Sequence, residues 1–308
     1  MARSSLKLDV LCAGFACHDV VASVDRFPPL DTKAPVQGLL EQGGGPAATA
    51  SVAIARLEGR VALLSAVGDD ERGARILREL QAEGVDVSAC VRERGASSPL
   101  SLVVVDLAAS TRTIFYSSGT MRLRRSDLRP DLIASARVLL VDTDLPEATP
   151  DACRIAREAG VPVVLDVGEP KPLALELLPE ADYPVPPLET ARWLTGATEP
   201  EDAALGLLRG HARAVVVTMG AQGYVVATPE GVWREPAFQV DVADTTGAGD
   251  AFHGGFALAI ARGMEAREAA RFASAVAGLK CRKPGGRTGL PSLGEVEDML
   301  ARPVYRPK

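Results

Sequence analysis

Twenty residues, DTTGAGDAFHGGFALAIARG at 244–263, place five glycines and two aspartates directly against an apolar stretch. A glycine-rich turn at the start of a helix leaves backbone N–H groups free. With the positive end of the helix dipole these form a site for anions, phosphate above all. Here Gly247, Ala248 and Gly249 bring successive amides towards one point, with Asp250 beside them in the first helical turn. A carboxylate is a poor neighbour for a bound phosphate. It makes sense where it must take a proton from a hydroxyl attacking that phosphate, so the pattern points to phosphoryl transfer. An ordinary capped helix accommodates the same glycines, with Asp250 then contributing about 0.3–1 kcal/mol through the dipole.

Such residues need a frame to hold them. Near-continuous apolar runs recur at 8–14, 60–68, 136–142, 161–167 and 212–220, as in strands buried on both faces of a parallel sheet. Helical patterns at 47–59, 71–84 and 147–160 lie between them, each closed by Gly. The alternation predicts a doubly wound α/β sheet. Residues 15–42 and 99–118 break that rhythm: they read as extended strands with turn signals and no helix. They predict a small antiparallel sheet set apart as a lid, or a pair of edge hairpins. The 308 residues suggest roughly two units, or one large α/β domain with a small appendage.

Composition removes several function classes. With 47% hydrophobic and 24% charged residues and a net charge of -6, the chain lacks the basic profile of a nucleic-acid binder. Its five cysteines, Cys12, Cys17, Cys90, Cys153 and Cys281, form no Cys-x-x-Cys pair and suggest neither a disulfide framework nor a zinc site. A soluble, cytoplasmic protein with no membrane partner is expected, since the sequence shows no charged-then-apolar leader and no run of about 18 apolar residues. Neither a G-x-x-x-x-G-K-[ST] loop nor a G-x-G-x-x-G after the first strand is present.

DTTGAGDAFHGGF resembles the second signature of the ribokinase-like (PfkB) carbohydrate kinases, and GGGPAATASVAIARLEG at 43–59 resembles their first. The likeness runs from Asp19 to KPGGRTGLP at 283–291. It implies a single ribokinase-like kinase domain over 1–308, with a Rossmann-like sheet and a β-sheet lid that serves as a homodimer interface. It also implies ATP- and Mg2+-dependent phosphorylation of a sugar hydroxyl. Carried over by position, Asp250 matches the catalytic base and Gly247, Ala248 and Gly249 the anion hole. Asp19, Gly43 and Gly44 match sugar-binding positions; Thr218, Gly220 and Gly223 match the nucleotide loop. Asp244 and Thr246 match residues around a monovalent cation, K+. Without the other motifs, Thr218 and its glycines would read as a plain strand-turn-strand.

Two departures stand out. The family's Asn-x-x-Glu motif, which orders water around magnesium, should fall at 187–190, where Pro187 and Thr190 stand with Glu189 one place off. Ala48 replaces the usual Asn of the first signature. Within the family, the two signatures and RFASAVAGLKCRKPGGRTGLP resemble sulfofructose kinases, in which a Lys and an Asn of the lid and an Arg after a central strand meet the sulfonate. Lys33 fits the first position; Tyr116 and Asp144 stand near the others, and a carboxylate there repels a sulfonate, so the same architecture with a different sugar is expected. A nucleoside kinase of the same fold would need aromatic stacking from Phe15, Phe115 or Tyr116. A catalytically silent sugar or nucleotide sensor would explain the lost Asn-x-x-Glu but not the retention of Asp250.

Overall fold

A computed structural model describes residues 7–109 and 111–306. The chain opens with β1 (Leu8–Ala13), β2 (Cys17–Val24) and β3 (Gly38–Gly44), then α1 (Pro46–Arg56), β4 (Val61–Leu64), β5 (Ala66–Gly68), α2 (Glu71–Ala82) and β6 (Val91–Glu93). It returns to extended structure in β7 (Leu100–Asp106) and β8 (Thr111–Ser117), followed by α3 (Pro130–Ser135), β9 (Ala136–Val141), α4 (Thr149–Glu158), β10 (Val163–Asp166), α5 (Pro172–Leu177) and β11 (Tyr183–Val185). The last part holds α6 (Leu188–Thr195), α7 (Pro200–Leu207), β12 (Val215–Thr218), β13 (Tyr224–Thr228), β14 (Gly231–Glu235), α8 (Ala248–Ala261), α9 (Ala266–Lys280) and α10 (Leu293–Ala301).

Five strands form a parallel sheet in the order β11-β10-β9-β1-β4. Its apolar runs divide by alternation. Val10, Val138, Leu140 and Val164 pack on one face against α1, α8 and α9, whereas Leu11, Leu139, Val141 and Leu165 pack on the other against α3 and α4. β12 lies beside β11, with Thr218 N–H donating to Pro186 O, and turns antiparallel into β13 and β14. The expected strand at 60–68 is split at the buried Ser65; its second half, β5, pairs with β6 instead. Main strands thus end together at Ala13, Val141, Asp166, Val185 and Thr218, the end of a parallel sheet where loops build binding sites.

The segments at 15–42 and 99–118 do form a separate sheet, ordered β3-β2-β7-β8. Its outer pairs are antiparallel as expected, but the central pair β2 and β7 runs parallel. That pairing joins two hairpin-like halves about eighty residues apart, which local turn signals cannot reveal. One face carries the row Gln42, Asp19, Ser101, Tyr116 towards the body of the molecule; the other carries Val20, Leu102 and Phe115.

α8, the helix behind the glycine-rich loop, is apolar on nearly every side, as a helix buried within a core must be. Two of its glycines serve close packing. A Cβ on Gly254 would lie 2.6 Å from Ala50 O of α1, and one on Gly255 would press on Val276 and Ala273 of α9. Gly254→Val is therefore expected to cost about 1–3 kcal/mol, the usual range for overpacking. This would be read as a lower urea midpoint at unchanged slope; an unmoved midpoint would show that α1 and α8 do not meet there.

Candidate active site

Carboxylates collect where the strands end. Asp142, just beyond β9, is buried; its Oδ2 accepts from Phe15 N–H at 2.7 Å and Ala47 N–H at 3.2 Å, and its Oδ1 from Asp144 N–H at 3.0 Å. Gly14, after β1, leaves room for it, because a Cβ there would fall 2.2 Å from Asp142 Oδ2. Burial, aided by Asp144, pushes the Asp142 carboxyl up to about 8. Asp166 closes β10 and faces Nδ1 of the buried His253 at 3.1 Å, while His253 Nε2 meets Val185 O at 3.0 Å. Burial and then Asp144 raise Asp166 to about 7. Asp144 itself is ion-paired with Lys171, so its charge is locally balanced, a feature the sequence did not show.

Asp19 reaches this region from the lid. Cys17, two residues earlier on the same face, donates its thiol to Asp19 Oδ1 at 3.1 Å; burial, and next the Asp19 charge, hold that thiol well above its usual range, so it stays a donor. Gly43 and Gly44 end β3 against two side chains. A Cβ on Gly44 would sit 2.1 Å from Asp19 Oδ2, and one on Gly43 2.0 Å from Arg287 Nη1. Only glycine permits this approach. Arg287, itself buried, donates to Gly44 O at 2.9 Å and to Thr49 Oγ1 at 3.3 Å. The sequence had marked Asp19 and the glycines but not Arg287, whose part is visible only once the 283–291 segment is seen to fold back. Lys33 lies exposed in the connection between β2 and β3, with no paired protein group among the described residues. Tyr116 shares the Asp19 row at 75% exposure, whereas Phe115 points to the opposite face, away from any stacking role over the site.

The glycine-rich loop meets these groups from α8. Gly247 caps the helix at φ 75°, and its missing Cβ would lie 2.6 Å from Gly286 O. Ala248 N–H turns inward to Thr245 O at 3.1 Å, so it closes the turn instead of joining the row of free amides expected of it. The amides of Gly247, Gly249 and Asp250 have no protein acceptor among the described residues. Asp250 is half-buried beside them. Desolvation and then the Asp166 charge raise its carboxyl to about 7, with His253 and Arg287 pulling the other way. A base of that pKa takes a proton readily near neutral pH. From the lid, Arg112 Nη1 donates to Thr245 Oγ1 at 3.4 Å, linking the lid to the loop.

Behind the loop lies a cavity of about 200 Å³, lined by Thr218, Gly220 and Gly223 on one side and by Gly249, Phe252 and Gly278 on the other. Gly223, at φ 92°, lets its chain pass Glu235 O where a Cβ would be 1.9 Å away. Thr218, Gly220 and Gly223 therefore share one space with the glycine-rich loop. Pro187 offers no side-chain oxygen, the hydroxyl of the buried Thr190 is bound to Gly168 O at 2.6 Å, and Glu189 is exposed on α6. Among the described residues no group of three or more His, Cys, Asp or Glu side chains is placed to hold a metal ion.

The family model for pfkB family carbohydrate kinases matches residues 7–293. The chain belongs to this family. It is 29% identical to the ribokinase of Bacillus subtilis over 95% of this chain and 99% of that one. It is also 29% identical to fructokinase-2 of Zea mays, over 86% of this chain and 87% of that protein. A crystal structure from Agrobacterium tumefaciens, described as a candidate ribokinase, superposes with a TM-score of 0.89 at 35% identity, covering 95% and 97% of the two chains. The kinase is thus an ATP-dependent enzyme that phosphorylates a sugar hydroxyl, and the ribokinase-like fold with a β-sheet lid stands as expected.

If Asp250 is the base, as the resemblance implies, Asp250→Asn keeps size and capping ability but removes it. Its kcat should fall by about 10²–10⁴ while ATP affinity and folding persist. In the unsubstituted enzyme, kcat/KM should fall as pH drops through about 7, because protonation removes the base. Near-normal turnover in a folded Asp250→Asn protein would remove Asp250 from the mechanism.

Proposed function

We propose that this kinase phosphorylates an uncharged sugar bound between the Asp19 face of the lid and Asp250. The observation that carries this is that Asp19 and Asp166 lie within electrostatic reach of Asp250, and Asp166 within reach of Asp142, with Asp144 ion-paired to Lys171. Asp19 and the Gly43–Gly44 turn hold sugar hydroxyls. Asp250 takes the proton as the hydroxyl attacks the γ-phosphorus, and the amides of Gly247 and Gly249 receive charge developing on the transferred group. Thr218, Gly220 and Gly223 hold the nucleotide. Magnesium accompanies ATP and is held by phosphates and water, as this ion commonly is, because Pro187 and Thr190 supply no free ligand. Lid closure through Arg112 excludes water and limits ATP hydrolysis.

The resemblance to sulfofructose kinases extends, in this reading, to the loops and not to the ligand. An anionic substituent close to Asp19 and Asp144 would meet like charge, at a Coulomb cost. In a competitive panel of uncharged keto- and aldo-sugars, nucleosides and sulfofructose, an uncharged sugar should give the highest kcat/KM. Sulfofructose as the best substrate would contradict the charge argument, a nucleoside would favour the alternative of a nucleoside kinase, and no turnover at all would favour a silent sensor.

The outer lid face favours a homodimer. Leu39, Leu102 and Phe115 are exposed at 65%, 41% and 54% on a sheet that the body leaves uncovered, and such a face is a natural protein interface. Leu102→Glu should shift the mass in sedimentation equilibrium from dimer to monomer; an unsubstituted protein that sediments as a monomer would contradict the proposal.

A further inference from the structure

Lys280 ends α9 with no exposed surface, yet it carries an ammonium group. Buried ammonium groups persist only where partial negative charge is gathered for them. Here Nζ donates to the backbone carbonyl of Asp244 at 2.9 Å, at the first residue of the glycine-rich loop. The Asp244 carboxylate lies within electrostatic reach, as do Asp250 and Arg112. Lys280 therefore places a fixed positive charge beneath the loop that would receive phosphate.

The resemblance to ribokinase-like kinases implies a potassium ion at Asp244 and Thr246. Such an ion needs carbonyl and carboxylate oxygens that replace its hydration shell, and these are already engaged. Asp244 Oδ1 accepts from both Thr246 N–H and Thr246 Oγ1 at 2.8 Å, Oδ2 accepts from Gly285 N–H at 2.7 Å, and Asp244 O accepts from Lys280. Cys281 O, on the adjoining turn, accepts from Ala243 N–H at 2.8 Å and Asp244 N–H at 3.2 Å. The residues present do not fit an exchangeable cation.

We infer that the Lys280 ammonium is the built-in cation of this loop, so that the kinase works without potassium. The side chain ties Asp244 to the end of α9 and supplies positive charge near the amides of Gly247 and Gly249. A lysine does this without drawing an ion from solution, whereas a bound ion is present only at sufficient concentration. The inference rests on the kinase reading for its turnover measurement alone.

The test compares chloride salts of choline, sodium and potassium at one ionic strength, with turnover and apo-protein melting temperature as parallel readouts. The unsubstituted kinase should keep its turnover within about twofold across the series and show no potassium-specific rise in melting temperature. Lys280→Met, which keeps length but removes charge, should lose about tenfold or more in choline and recover in part with potassium or ammonium. Lys280→Arg, which keeps a charge, should remain indifferent to potassium. A collapse of the unsubstituted enzyme in choline with rescue by potassium would overturn the inference, as would a Lys280→Met enzyme fully active in every salt. If Lys280→Met does not fold, the salt series on the unsubstituted protein still decides. If no sugar turns over, the kinase reading fails, and the melting series still separates a potassium-binding loop from one served by Lys280.

Discussion

Packing several carboxylates into one end of a parallel sheet is electrostatically unfavourable, and the rest of the site is arranged around that constraint. Asp19, Asp142, Asp144, Asp166 and Asp250 arrive from the lid, two strand ends and α8, and the cations beside them are Lys171 and Arg287. Removing like charges from water raises their pKa values. The consequence is a set of groups titrating near neutrality: Asp250 and Asp166 at about 7, Asp142 at about 8. At Asp250 burial is the larger cause and the Asp166 charge the second. Three backbone N–H donors fix Asp142, so it is held in place instead of relaxing into solvent.

One short segment makes the site a single mechanical unit. From Lys280 to Arg287 the chain touches both the glycine-rich loop and the end of β3. Lys280 and Gly285 hold Asp244, Gly286 backs Gly247, and Arg287 holds Gly44 O and Thr49. The Gly43–Gly44 turn and the glycine-rich loop are therefore fixed to one another through this segment. Productive geometry within about half an ångström demands such support.

How much could be read beforehand depended on range in sequence. Strands at 8–14, 136–142 and 161–167 were legible because burial on both faces leaves an unbroken apolar run. The helices at 71–84 and 147–160 were legible from their apolar spacing and closing glycines, which take positive φ at Gly84 and Gly160. At the end of α1 the same rule failed. Glu58 takes the left-handed turn at φ 62°, and Gly59 is needed because a Cβ would strike Ile54 and Leu258. The parallel join of β2 to β7, the Lys171 partner of Asp144 and the return of Arg287 to Gly43 all depend on contacts between residues 27 or more apart in sequence, for which local pattern carries no signal. His253 had a faint one: it stands three residues after Asp250, on the same side of α8.

The central claim is that burial, with the Asp166 charge second, raises the Asp250 carboxyl to about 7, where it can serve as a base near neutral pH. The most direct measurement is a pH titration of side-chain carboxyl 13C chemical shifts in Asp-labelled protein, with Asp250 assigned by its disappearance in Asp250→Asn. An apparent midpoint near 7 for that resonance, falling when Asp166→Asn removes a neighbouring charge, is the predicted result. A midpoint close to the ordinary value of 3.8, unmoved by Asp166→Asn, would contradict it.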